Sequence, residues 1–446
     1  MEQLRSSNCK PAVSHLRQLI YIALQPEHPP AVNEMVYTDV PSSPGKAAMK
    51  MRIPSGPAVL AARRLLRSFV ITNAPETIAR ALPSCGDPRQ DRSTPPDDGS
   101  LESVIGPQSM CIPNAKNCWS ILAHGFTRRG QNLTLTPGES KKRTHNPDED
   151  EDSLDGHTVE NAVVGPDAWS VLDWLILLFE QDEMLADACG SGRFSNLLLQ
   201  QIPYPRSGIG PRWDAETPLR IVFFCLEQAD TRRQILGSRL MALLINLSST
   251  AHLDLPIFVA SVYGRLTATA LEGLPALFSN LSRSPTVHKF KILLCQKFLT
   301  DPSHDQTADA RPKAHARVQP RALRQARTES SATQNPKSQL ARPGASVQSP
   351  INPLPGYTEI RRLMETKPSP SAIVSTSLLL RIKFELLNSY GMLQSQTPLT
   401  EKDTEWLASL HDGRMIEILD LAFGRADEGG EGGMLRETIQ SIRSAW

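Results

Sequence analysis

The stretch from Gly165 to Glu180 (Gly-Pro-Asp-Ala-Trp-Ser-Val-Leu-Asp-Trp-Leu-Ile-Leu-Leu-Phe-Glu) leaves this chain few folds to choose from. At a helical turn, Ser170, Asp173 and Glu180 mark one narrow polar stripe, interrupted by Leu177, and nearly every other position is apolar. A helix hydrophobic almost all round is buried on most of its sides, so further elements must surround it. Pro166 at its start, with Asp167 beside it, suits the first turn, where proline costs no bond and negative charge meets the helix dipole.

The residues that follow supply the surroundings. A loop from about 187 to 216 carries four glycines and three prolines, with room for a short helix from Arg193 to Gln201. A helix is expected from Thr217-Pro218. Its apolar run, Ile221 to Leu226, fits a buried strand equally well on periodicity alone, and helical neighbours on both sides favour the helix. Thr231 to Ser248 is the clearest amphipathic segment: Leu236, Leu240, Leu243, Leu244 and Leu247 share a face, with Arg232, Arg233 and Arg239 off it. Asp254 caps the next helix, which carries Phe258, Val262 and Leu266. Another is expected over Ala268 to Leu281. Thr286 caps a last one, with Val287, Phe290, Leu294 and Phe298 inward and Lys289, Lys291 and Lys297 outward. Helices of this length joined by short turns predict an all-α fold. Its form is an irregular bundle or a short armadillo/HEAT-like α-solenoid, though no shared residue pattern recurs at a fixed period.

The rest of the chain is punctuated differently. Of its 446 residues 36 are Pro, concentrated at 25–113 and 302–370, which marks segments too polar or too Pro-rich to bury a core. Five regions result. Residues 1–82 hold helical segments (11–25, 58–70 with an Arg face, and 76–82) and a Pro-rich connector. Residues 83–158 read as a disordered linker. It is broken by the apolar patch Cys118 to Leu122 and ends in Lys141-Lys142-Arg143 and the acidic run Asp148 to Asp152. Residues 159–301 form the main domain, and 302–355 a disordered basic linker. Residues 356–446 return to helix (377–393, one opened by Thr400-Glu401-Lys402-Asp403, 415–423 and 434–442), in pieces too short to stand alone and expected to dock on the main domain.

Several function classes fall away. A net charge of +1 gives no global field for nucleic acid or an anionic membrane. Seven irregularly spaced cysteines, an odd number, fit a reducing compartment rather than a disulfide framework. Neither a cleavable leader nor an apolar run of ~18 residues is evident. The chain therefore reads as nuclear or cytoplasmic, with Lys141-Lys142-Arg143 tilting it toward the nucleus. Gly45-Lys46 lacks the P-loop glycine, since position 40 is Val. Gly190-Ser191-Gly192 and Gly208-Ile209-Gly210 lack the third glycine of a dinucleotide loop, with Ser195 and Trp213 in its place. No nucleophile elbow or His-Glu-x-x-His motif occurs. Cys111, Cys118, His124 and His145 are too widely spaced for structural zinc, and a calcium loop at Asp148 fails at Ser153 and Val159. No catalytic residue, cofactor or metal is expected.

Two features read positively. Between Arg311 and Arg342 eight Lys or Arg face one acid, Glu329, so Arg317, Arg321, Arg324 and Arg327 are candidates for salt-sensitive phosphate contact. The alternative is a solvated spacer, and without aromatics the segment offers no base stacking. The loop Pro203-Tyr204-Pro205-Arg206…Arg212-Trp213-Asp214 is longer than a connector needs. It puts Tyr204, Arg206, Arg212 and Trp213 where a partner protein would meet a rigid scaffold. Trp169, Trp174 and Trp406 read as core. The expected function is a non-enzymatic helical scaffold or adaptor, and the alternative is a nuclear subunit in DNA repair, recombination or chromatin processes. An enzyme would need a polar pocket that the sequence does not announce.

Overall fold

A computed structural model describes residues 10–27, 54–83, 105–127, 162–204, 214–269, 273–300, 354–366, 375–424, 430–443 and 446. The described residues are mostly helical and contain no strand, so the fold is all-α. They divide into two compact units. The first runs to Lys297 and also includes 385–397 and Trp446; the second comprises 298–384 and 398–444.

In the first unit the helices are α1 (Val13–Ala23), α2 (Gly56–Thr72), α3 (Pro75–Ala79), α4 (Gly106–Ser109), α5 (Trp169–Ala188), α6 (Asn196–Gln200), α7 (Glu216–Leu226), α8 (Thr231–Ser248), α9 (Leu255–Thr269), α10 (Leu274–Asn280) and most of α11 (Pro285–Thr300). The all-round apolar helix α5 is the hub, packing against α1, α2, α3, α6 and α8 and a 3-10 turn at Ser120–Leu122. Val171, Leu172, Leu175, Ile176, Leu178 and Phe179 are buried. At ~1.5–3 kcal/mol for each large apolar side chain removed from water, this helix cannot be stable without its neighbours. Its start lies at Trp169; Pro166 and Asp167 form the preceding turn.

Two residues of the polar stripe of α5, Asp173 and Glu180, are half-buried and paired, while Ser170 is exposed. Arg239 of α8 donates from Nη1 to Asp173 at 2.7 Å and from Nε to Glu180 at 2.8 Å. Arg63 on α2 is likewise not part of a solvated face. Its guanidinium donates to the Ala23, Gln25 and Asp167 carbonyls at 3.1, 3.4 and 3.2 Å, tying the end of α1 to the turn before α5. Trp174 Nε1 donates to the Leu66 carbonyl at 3.1 Å, holding α2 on α5.

Residues 105–127, which composition places in a linker, are folded: Ile112, Cys118, Trp119, Ile121 and Leu122 are buried. Gln201 fastens them, accepting from the Cys118 N–H at 3.0 Å while donating to the Pro83 carbonyl at 3.1 Å. The apolar run Ile221–Leu226 is helical and lies against α8 with unusual closeness, because Gly237 presents no Cβ to Cys225 and the Val222 carbonyl.

The second unit holds α12 (Tyr357–Met364), the first part of α13 (Thr376–Gln396), α14 (Thr404–His411), α15 (Arg414–Phe423) and α16 (Gly430–Ile442). Asp403, not Thr400, begins α14: its Oδ1 accepts from the Glu405 and Trp406 N–H groups, and its Oδ2 from the Tyr357 N–H at the start of α12. Residues 399–401 form a separate 3-10 turn. Trp406 is fully buried, its ring 6.3 Å from that of Tyr357.

Candidate functional site

Of the residues expected to meet a partner, Tyr204 stands at the end of the segment after α6 and is 60 % exposed. Arg206, Arg212 and Trp213 lie outside the described residues, as do Arg317, Arg321, Arg324 and Arg327 of the basic segment.

A polar cluster that the sequence did not announce lies where α5, α8 and α11 meet. Asp182 Oδ2 accepts from Ser195 Oγ at 2.6 Å and from the Leu197 N–H at 2.9 Å, while Ser195 Oγ caps α6 by accepting from the Leu198 N–H. One residue on, Glu183 accepts a short hydrogen bond from Asn246 Nδ2 and pairs with Arg193 Nε at 3.5 Å. Asn246 Oδ1 in turn accepts from Thr286 Oγ1 at 2.7 Å, and Thr286 lies 2.9 Å from Ser284 Oγ. Thr286 is thus spent on Asn246, and Ser284 rather than Thr286 caps α11, accepting from the Val287 N–H. The chain of contacts runs from the loop before α6, through the last turns of α5, to the first turn of α11.

Burial pushes the Glu183 carboxyl up to about 6, against the opposing pull of the Asn246 hydrogen bond and Arg193. Two residues beyond Thr286, His288 is 4 % exposed with both ring nitrogens unbonded among the described residues. Burial, then the cations Lys291 and Arg283, push its imidazole down to about 4. Lys291 does not point outward: at 7 % exposure its ammonium donates to the Phe278 carbonyl at 2.7 Å and pairs with Glu385 at 3.2 Å. A charge so deep is tolerated because both partners are inside with it.

Nothing known matches: no family model, no curated protein and no solved structure resembles this chain closely enough to be named beside it. The chemistry has to be read from the groups themselves. Perturbed carboxyl and imidazole groups cluster at reaction centres in many proteins. Here Glu183 is bonded to an amide and a guanidinium, and His288 to no Ser or Cys among the described residues, so neither belongs to a nucleophile–base pair. Among the described residues no three His, Cys, Asp or Glu are grouped to hold a metal ion, and no helix is long and apolar enough to cross a membrane. What the cluster can do is join three helices through hydrogen bonds, one of them to a carboxyl raised by burial to about 6.

Two half-exposed aromatic features complete the surface of this unit. Trp169 lies stacked on Phe224 at 5.9 Å and 12°, with the Arg233 guanidinium 4.4 Å above its ring. Phe194, in the loop that carries Arg193, meets His252 at 5.6 Å. A polar residue inside an apolar stripe was the available signal for the cluster: Asn246 falls among Leu243, Leu244 and Leu247 of α8.

Proposed function

We propose that the protein is a non-enzymatic helical scaffold that binds another protein through the body formed by residues 165–300. The observation that carries this reading is the pairing of the buried and half-buried charges of that body. Arg239 is matched by Asp173 and Glu180, Glu183 by Asn246 and Arg193, Asp182 by Ser195, and Lys291 by Glu385. Each serves a helix junction, which is what a rigid presenting surface needs and a reaction centre does not. We assign the rim to Tyr204, Arg206, Arg212 and Trp213, which fall in sequence between α6 and α7. An irregular bundle suits the contacts better than a solenoid, because α5 touches helices far from it in sequence and not only its neighbours. The compartment we assign is the nucleus or cytoplasm.

Affinity purification of the full chain tests this. A stoichiometric partner is expected, retained when residues 301–355 are deleted and lost when Tyr204 and Trp213 are both replaced by Ala. Recovery of no stoichiometric partner by the intact chain rejects the reading. The eight cations against one acid at 311–342 favour a second role, phosphate contact as part of a nuclear DNA-processing or chromatin assembly. Replacing Arg317, Arg321, Arg324 and Arg327 by Gln should then flatten the salt dependence of duplex DNA binding, and an unchanged slope counts against it.

A further inference from the structure

Gly391 lies well inside α13, in the part of that helix that belongs to the first unit, and is buried. A Cβ at this position would overlap the indole of Trp446, meeting its Cδ2, Cε2 and Nε1 closer than a carbon can approach. The ring is seated on bare helix backbone. Glycine inside a helix costs ~0.5–1 kcal/mol relative to alanine. The cost has a counterpart here, because only glycine leaves a notch that admits an indole. Leu387 and Gln394, one turn to either side on the same helix, are buried as well, and Trp446 is half-buried.

We propose that the Gly391 notch is a recognition site for an indole side chain, filled in cis by Trp446 and taken by a tryptophan-bearing peptide of a partner when Trp446 withdraws. The resident ring defines the ligand chemistry: a flat aromatic that buries ~150–250 Å² and asks for no charge. Being tethered, it competes at an effective concentration on the order of mM, so the intact chain presents a site that is mostly occupied. The inference goes beyond the scaffold reading, since it concerns α13 and not the 165–300 body.

The experiment uses the full chain and N-acetyl-tryptophanamide as probe, followed by saturation-transfer NMR and calorimetry. Trp446→Ala is expected to bind the probe at least about tenfold more tightly than the wild type, the resident competitor being gone. Adding Gly391→Leu to that variant should abolish binding. Equal affinity in wild type and W446A overturns the proposal, as does binding that survives the added leucine. A second measurement serves if W446A does not fold. With 5-fluorotryptophan incorporated, the resonance missing from Trp446→Phe identifies the ring. In Gly391→Leu it should move to the position of solvated fluorotryptophan; a resonance that stays in place overturns the notch.

Discussion

An imidazole at 4 % exposure with neither nitrogen bonded enters the folded chain only in its neutral form, because a proton there would add a cation beside Lys291 and Arg283. His288 sits at about 4 instead of 6.5, so as pH falls below 6.5 the unfolded chain takes the proton first. Its share of stability is whole above pH 6.5 and is lost on acidification toward 4, at up to ~1.4 kcal/mol per pH unit. Glu183 has the opposite sign. Raised from 4.5 to about 6, its carboxyl takes the proton first in the folded chain, so stability is regained as pH falls from 6 to 4.5. Urea unfolding at several pH values should show His288→Leu gaining on the wild type as the solution is acidified below 6.5. Glu183→Gln should lose ground to the wild type between pH 6 and 4.5. A pH-independent difference for either variant contradicts its assigned burial. Arg63 offers a pH-independent test. Its removal strands the carbonyls of Ala23, Gln25 and Asp167, and Arg63→Ala is expected to cost ~1–3 kcal/mol in the same assay. Lysine, with no fork of donors, should recover little of it.

Between elements, the closest approach is at Gly237. A Cβ there would lie 2.8 Å from Cys225 Cβ and 2.9 Å from the Val222 carbonyl oxygen. Alanine is the better helix former by ~1 kcal/mol, yet Gly237→Ala should destabilise by ~1–3 kcal/mol, because backbone and not a flexible side chain must yield. A neutral or stabilising result in thermal unfolding would mean that α7 and α8 stand further apart. Most helices were legible in the sequence, since apolar positions at a helical period survive whatever packs on them; α5 and α8 follow from that, while Ile221–Leu226 fits a strand equally well on periodicity and was placed by its helical neighbours. Charged residues were less so. Arg239 and Lys291 look like solvated positions until their partners are known, and those lie 66 and 94 residues away. Helix starts slipped for a related reason. Thr286 resembles a cap but bonds Asn246 across the unit, and Thr400 precedes a 3-10 turn while Asp403 starts two helices. Of the Glu183–Asn246–Thr286 junction, only Asn246 left a trace in the sequence, as a polar residue inside an apolar stripe, because its partners lie 63 and 40 residues away.

For the molecule as a whole, the chain divides into two compact units, and unfolding is not expected to be a single event. Trp406 is the largest fully buried side chain and belongs to the second unit. Trp406→Ala, a truncation of a kind that costs ~3–5 kcal/mol, should lower one calorimetric transition and leave the midpoint of the other in place. A single transition that shifts as one would join the units thermodynamically. The route of the chain adds something further. It leaves the first unit after Lys297 and comes back for Glu385–Thr397, bringing the carboxylate that Lys291 needs. A premature stop at any codon from 301 to 384 would therefore strand a buried ammonium upstream of the break, and the injury would surface in residues that had already been translated.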